Sequence, residues 1–415
     1  MGGQQFGEGT VHINLSQFNE VLSLDEKRGL ITVESGIQWP VLMQWLLSEQ
    51  EGSDKQWGIR QKQTGADGLS IGGALSANAH GRGLTLKPMI GDVESFNLVD
   101  ANGKVRECSR DKNPELFGLA IGGYGLFGVI TDVTLRLSPR QALVREVEMI
   151  TVDEVPDKVE QRIREGYIYG DYQFMTDESS PDFLNRGVFS FYKPTNEVVP
   201  DRESQKKLSK ENWIQLYHLA HANKSKAFDL YSQFYLSTDG QIYWSDTHQL
   251  STYLQGYDGV VDQMLKSRAP GSLMICEYYV PRSRLPDFFK RMGAALIETK
   301  ANLIYGTVRF IEEDNESYLA WARQSYACTV INLRVVHDEK GIKEAKRQFR
   351  TITDIALEMD GSYFLTYHRW ATKDQVLKAY PQFPQFIQKK LQFDPEERFQ
   401  SEWYRHYRAM FKRSE

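Results

Sequence analysis

The segment that most restricts the fold is QTGADGLSIGGALSANAHGRG, Gln63 to Gly83. Glycines at 65, 68, 72 and 73 strip side chains from nearby backbone positions, and Leu69, Ile71 and Leu75 are its few large apolar groups. So little apolar surface cannot build its own core, so the run must be a loop held by its neighbours. Two roles fit it: a structural crossover, or a cradle in which bare N–H groups approach a diphosphate. Ser70, Ser76 and Asn78 add short polar groups, and His80-Gly81 sets an imidazole near the end of the loop.

A second glycine cluster, Gly123-x-Gly125-x-x-Gly128, spells the dinucleotide fingerprint. That fingerprint needs a strand before the glycines and a helix after them. Here Asn113 as N-cap and Pro114 at the first helical position open a helix through Leu119, and the strand Val129 to Leu137 follows. The reversed order predicts a tight helix-to-strand turn and no nicotinamide site.

Around these loops, Thr10 to Leu15, Val21 to Leu24 and Ile31 to Gln38 read as strands, the last running into a turn. Trp39 to Gln50 has helical spacing at Leu42, Trp45 and Leu46. Ser95 to Ser109 reads as a hairpin turning at Asn102-Gly103. Beyond about Arg145 glycine thins out, and Asp201 to Asn212 is a polar loop or helix end. Leu273 to Val280, Thr307 to Ile311 and Thr329 to Val336 are predicted strands; Leu285 to Glu298 and Ile342 to Met359 are predicted amphipathic helices. The fold class expected is α+β, with an antiparallel sheet carrying helices on one face.

A chain of 415 residues exceeds what one core usually serves, so two domains are expected. A net charge of -5 without a long basic block argues against nucleic-acid binding. No apolar run is long enough to span a bilayer, and no basic-then-apolar leader is present, so a cytoplasmic location is expected. Cys108, Cys276 and Cys328 form no CxxC pair, which predicts inert buried thiols and no metal site.

SIGGALSANAHGRG, GDVESFNLVDANGKVRE and NPELFGLAIGGYGLFGVITDVTLRL follow one another at tight spacing. That series resembles the PCMH-type FAD-binding domain of the vanillyl-alcohol-oxidase and p-cresol-methylhydroxylase family. EYYVP, TVRFIEEDNESYLAWAR, Gly361 to Pro381 and FDPEERFQSEWYRH are similar to aldonolactone oxidases and decaprenylphosphoryl-ribose oxidases. The resemblance implies an FAD-binding domain at 1–145, a substrate domain at 146–380 and a C-terminal segment at 381–415 that returns to the FAD domain. It implies that Gly2, Gly3 and Gln4 belong to the first phosphate loop. Gly65, Ala66, Ser70, Ile71, Gly72, Gly73, Ser76, Asn78, His80 and Gly81 would line the pyrophosphate and the flavin edge, and Val129-Ile130 the adenine half or the ring. The family's preceding strand–helix–strand unit is not in this sequence, so the expectation is a chain that starts partway through the flavin-binding loop.

Aldonolactone oxidases often carry a Glu-x-Arg pair on a substrate-domain strand; the matching pair here is Thr307 and Arg309, which share a face. The decaprenylphosphoryl-ribose type has a lysine where this chain has Tyr367, followed by His368. The activity implied is hydride transfer from a CH–OH group of a sugar, polyol or aldonolactone to flavin N5. His368 or Tyr367 would take the hydroxyl proton, and Arg309 would steady the alkoxide. The partners implied are a small-molecule substrate and an electron acceptor: oxygen, a quinone or another carrier. Plainer readings place Tyr367 and His368 in the core of an aromatic strand, FLTYHRW, and pair Arg309 with Glu312 or Glu313. The competing functions are a flavin-dependent C=C reductase and a non-catalytic protein unable to hold FAD.

Overall fold

The computed structural model describes residues 4–201, 203–251, 254 and 256–412. The N-terminal part is built from β1 (Val21–Asp25), β2 (Leu30–Glu34), α1 (Trp39–Glu49), β3 (Trp57–Ile59), α2 (Ile71–Ser76), β4 (Val93–Val99), β5 (Val105–Ser109), α3 (Pro114–Ala120) and β6 (Val129–Pro139). Its six-stranded antiparallel sheet runs β1-β2-β6-β4-β5, with β3 also on β6. Ile31, Val33, Phe96, Leu98, Val133 and Leu135 are buried against Leu42, Leu46 and Leu75 of the helices. As expected, α3 precedes the Gly122–Gly128 turn and a strand follows it. The turn takes left-handed backbone at Gly122, Tyr124 and Gly125.

The remainder comprises β7 (Ala142–Thr151), α4 (Val155–Arg164), β8 (Tyr169–Phe174), β9 (Arg186–Pro194), α5 (Lys210–Ala222), α6 (Lys224–Leu236), β10 (Ile242–Trp244), α7 (Asp258–Met264), β11 (Gly271–Pro281), α8 (Leu285–Glu298), β12 (Leu303–Ile311), β13 (Tyr326–Val336), α9 (Glu339–Leu357) and β14 (Ser362–Tyr363). It ends in α10 (Lys373–Ala379), α11 (Phe383–Phe393) and α12 (Glu402–Met410). The eight-stranded sheet runs β10-β7-β9-β8-β12-β13-β11-β14, antiparallel throughout. In α8 the apolar residues at 285, 288, 289, 292 and 296 form one buried stripe. In α9, Asp338 caps the first turn through Gly341 N–H at 2.7 Å, and Ile352, Ile355 and Ala356 are buried, with Met359 just beyond the helix.

Strand alternation then sorts this sheet into two faces. Tyr278 packs toward Phe288 of α8 and Phe349 of α9, whereas Tyr279 stacks on Trp321 on the opposite side. The register carries that second face across Cys328 of β13 to Arg309 of β12. The bridge of Val308 to Tyr172 extends it to Asp171 and Gln173 of β8. Tyr235 of α6 reaches the same face, where the Arg145 guanidinium of β7 lies over its ring at 4.4 Å.

Three local expectations change. Thr10 to Leu15 is not a strand: Val11 is 91% exposed and Ile13 57%, with no neighbouring strand to complete the ladder. The Ser95–Ser109 hairpin, by contrast, forms as expected with Asn102-Gly103 in its turn, which Asp100 holds, its Oδ1 accepting from the N–H groups of Asn102 and Lys104. Asn113 stands at the N-cap position with Pro114 after it, but its backbone is left-handed and its side chain makes no capping hydrogen bond; its amide donates to the Glu107 carbonyl instead. FLTYHRW, Phe364 to Trp370, is not a strand: β14 ends at Tyr363, just before it, and residues 365–367 form a turn and bend.

Candidate active site

The glycine-rich loop is tied down at both ends. Ile71 and Gly72 donate their N–H groups to the carbonyls of Ile37 and Ser35, and Gly83 bridges to Tyr169 of β8. This path delivers His80 from the N-terminal part to the open face of the larger sheet. Asn78, in left-handed backbone, locks the approach: its amide donates to Asp314 at 2.8 Å and Ser317 at 3.2 Å, and its carbonyl accepts from Trp321 Nε1 at 3.0 Å.

His80 meets Glu277 there. Nε2 lies 2.9 Å from Glu277 Oε2 and Nδ1 lies 3.0 Å from the Gly81 carbonyl, so both ring nitrogens face acceptors. Glu277 also accepts from Tyr279 at 2.9 Å and Tyr367 at 2.6 Å, and Cys328 Sγ lies 3.7 Å away. Glu277 is 4% exposed and His80 2%. Burial pushes the Glu277 carboxyl up, but His80, Arg309 and the Tyr367 hydroxyl outweigh it and bring it down to about 2. Burial holds the Cys328 thiol well above its usual range and so protonated. His80, Glu277 and Cys328 present donor atoms within 4.8 Å of one another, yet their lone pairs and protons are already committed to this network.

Arg309 stands on the same face, 8% exposed. It makes no hydrogen bond or ion pair among the described residues, and its Nε is enclosed without a partner. Neither alternative partner reaches it: Glu312 pairs with Arg282 at 2.7 Å, and Glu313 is exposed. Thr307 Oγ1 donates to the Tyr172 carbonyl at 3.4 Å. Arg82, which follows His80-Gly81 in the loop, pairs with Asp171 at 3.2 Å, and Lys62 pairs with Asp67 at 2.6 Å. A groove of about 470 Å³ on the outer face of the first sheet, near Arg28, Glu94 and Arg136, is walled by surface ion pairs. It holds none of the enclosed unpaired groups, so the chemistry is placed at Glu277.

Of the three catalytic candidates, the structure brings Arg309 and Tyr367 together around Glu277 and leaves His368 out. His368 lies beside Cys276, 3.3 Å from its Sγ, between Phe349 of α9 and Trp370, on the helix-covered face. Desolvation pushes its imidazole down to about 3. His368→Phe is therefore expected to leave turnover unchanged and stability within about 1.5 kcal/mol, because the contact it removes is the weak one of Nε2 to Cys276 Sγ, and Nδ1 has no partner among the described residues. Steady-state kinetics with a thermal melt check this; a collapse of kcat in a folded variant would return His368 to the chemistry. Sequence reasoning missed Glu277, although a charge inside the apolar run of EYYVP was a usable signal.

The cofactor candidates divide by surroundings. Gly2 and Gly3 lie outside the described residues. Gln4 is buried and its Nε2 has no partner. Gly65, with φ +78°, and Gly68 open onto free space: a Cβ on either would meet nothing within 4 Å. Gly73 would meet only Ser70 Oγ, which caps α2. Ala66 and Ser76 are half-buried between these points. Gly72 and Gly81 are glycine for packing, since a Cβ would sit 2.9 Å from Ser35 and 2.8 Å from the Lys62 carbonyl. Ile71 is core, Val129 and Ile130 pair with Val99 and Leu98 inside the first sheet, and Asn78 and His80 are held as described. The Gly65 N–H donates to Ser251 Oγ at 2.9 Å; bare backbone at Gly68 and the enclosed Gln4 amide fit a diphosphate-bearing cofactor.

Comparison with known proteins agrees. Residues 1–109 match the FAD binding domain model, and residues 198–407, half of the chain, match the D-arabinono-1,4-lactone oxidase model. The mitochondrial L-galactono-1,4-lactone dehydrogenase 2 of Oryza sativa subsp. japonica is 34% identical over 143 residues, 34% of this chain and 23% of that protein. The putative D-arabinono-1,4-lactone oxidase of Neurospora crassa is 31% identical over 132 residues, 32% of this chain and 22% of that protein. The L-gulonolactone oxidase of Mus musculus is 28% identical over 153 residues, 37% of this chain and 33% of that protein. The chain thus spans between 22% and 33% of the length of these relatives. The cofactor is FAD, and with a glycine loop that leads to a buried Glu277–His80 pair on the open face of an antiparallel sheet, this chain belongs to the D-arabinono-1,4-lactone oxidase family.

Proposed function

We propose that the chain is an FAD-dependent oxidoreductase acting on a CH–OH group of a sugar, polyol or aldonolactone. The observation that carries this reading is the buried cluster of Glu277, His80, Arg309 and Tyr367 where the glycine loop meets the sheet. When bound, FAD supplies the acceptor for the hydride that leaves the substrate carbon.

The residues of the chain handle the proton. Glu277, held anionic, accepts a hydrogen bond from the substrate hydroxyl. A carboxylate brought down to about 2 is a weak base toward an alcohol. As hydride leaves, however, the O–H becomes that of a protonated carbonyl, far more acidic than a carboxylic acid, and Glu277 takes the proton late in the step. Arg309, without a partner among the described residues, stabilises the oxygen as it loses the proton. Desolvation keeps Tyr367 protonated, so its hydroxyl, with His80, positions the carboxylate. The electrons then pass to oxygen, a quinone or another carrier. The free, buried Cys108, Cys276 and Cys328 fit the cytoplasm as the compartment, and no helix among the described residues is long and apolar enough to cross a membrane.

The test is to purify the chain, add FAD, remove the excess and record the flavin bands before and after anaerobic addition of an aldonolactone or polyol. A yellow protein bleached by the CH–OH donor supports the reading. A protein that stays colourless, or a flavin bleached only by NADPH, overturns it.

A further inference from the structure

Tyr124 occupies backbone that suits it badly. Residues 122–125, between α3 and β6, read Gly-Gly-Tyr-Gly, and Gly122, Tyr124 and Gly125 all take positive φ, +54° at Tyr124. That region is open to glycine and strained for an aromatic residue. A fourth glycine would relax the turn, so the contacts of the Tyr124 side chain are what offset the strain, and strain of this kind points toward function.

Both ends of that side chain are engaged. The ring packs on Trp403 of α12 with centroids 4.4 Å apart. The hydroxyl, which burial keeps protonated, lies 3.3 Å from Thr366 Oγ1. Trp403 donates from Nε1 to the Leu365 carbonyl at 3.1 Å. Leu365 and Thr366 are thus gripped by two buried side chains, and the next residue is Tyr367, whose hydroxyl donates to Glu277 at 2.6 Å. No ladder holds this stretch: β14 ends at Tyr363, the Phe364 N–H donates to the Glu277 carbonyl at 3.1 Å, and the chain then turns. The grip is itself fixed to the N-terminal part. The N–H groups of Gly122 and Tyr124 donate to the carbonyls of Leu75 and Ser76, at the end of α2, each at 2.9 Å. In α12 the Glu402 N–H donates to the Phe6 carbonyl at 2.7 Å and Arg405 to the Glu8 carbonyl at 2.9 Å.

We propose that Tyr124 and Trp403 are positioning residues of the oxidation: they hold the 365–367 turn where Tyr367 meets Glu277, and they tie that turn to the end of α2. This rests on the reading of Glu277 as the proton acceptor and names the residues that orient it from outside the site. Neither side chain touches a reacting atom, and no bond is made or broken at either.

The experiment compares flavin-loaded wild type with Tyr124→Phe, which keeps the ring and removes the hydroxyl, and Trp403→Phe, which removes the Nε1 donor. Amide hydrogen exchange over residues 364–368 reports the turn, and reduction of the flavin by an aldonolactone or polyol reports the chemistry. Both variants are expected to exchange faster there, to hold as much flavin per chain as wild type, and to lose about threefold to tenfold in kcat with a smaller change in KM, the range that one neutral hydrogen bond spans. In a Tyr367→Phe background, Tyr124→Phe is expected to add nothing further, because its effect passes through Tyr367. Unchanged exchange in both variants overturns the grip. Faster exchange with unchanged turnover overturns the positioning role, and so does a loss that multiplies in full in the double variant. A wild-type flavin that no CH–OH donor reduces ends the proposed oxidation and the positioning role with it, while faster exchange in the variants would still show the grip.

Discussion

Replacing Glu277 with glutamine is expected to lower kcat by about 10²–10⁴-fold, the range typical of a lost proton acceptor, with a smaller change in KM. The amide keeps the shape and can still hydrogen bond to Tyr279 and Tyr367, so the loss isolates the charge. It also weakens the buried hydrogen bond between His80 and residue 277, and stability falls as well. The pH dependence has a definite sign. The folded carboxyl is depressed, so its contribution is present above the ordinary range for glutamate and is lost as pH falls toward about 2. The difference in melting temperature between wild type and E277Q therefore narrows as the solution is acidified through that window, whereas above it the difference is constant. The same low value keeps Glu277 anionic at every working pH, so it adds no acid limb to kcat near neutrality. Unchanged turnover in the variant would remove Glu277 from the chemistry.

The second large effect is on folding. Lys390 and Asp394, one turn apart at the end of α11, form an ion pair with side chains 0% and 1% exposed. Asp394 also accepts from the N–H groups of Arg398 and Phe399, and the Lys390 ammonium lies over the rings of Phe399 and Tyr404. The pair thus pins the chain reversal between α11 and α12. Lys390→Met fills the space but leaves a buried carboxylate unmatched, at a cost of roughly 3–5 kcal/mol. Circular dichroism is expected to show a transition lowered by several degrees, with partial recovery in the double variant Lys390→Met/Asp394→Asn, whose single amide oxygen still accepts one of the two backbone N–H groups. A wild-type melting temperature in Lys390→Met would show that the pair is solvated in the folded protein.

Much of the architecture was readable along the chain because it depends on near neighbours. Helix α8 falls on its predicted bounds, since Pro286 at the first turn and apolar residues on one stripe are local facts. The Gly123–Gly128 motif could be refused as a dinucleotide site for the same reason: the order of helix and strand around it is local. Thr10 to Leu15 failed because alternation alone does not make a strand; a ladder needs a partner. His368 and Tyr367 looked equivalent as neighbours in FLTYHRW, and the turn there sends them to opposite sides of the sheet.

The amino-acid order by itself determined the glycine-stripped loop, the antiparallel α+β plan and the presence of Arg309 and Tyr367 as polar groups in apolar surroundings. Only the tertiary structure decided that Glu277 is the carboxylate between them, because it meets His80 across 197 positions of sequence. The reason is physical. Strand register sets which face a side chain joins, and burial then fixes which charges are left to pair with one another; neither is a property of any short segment.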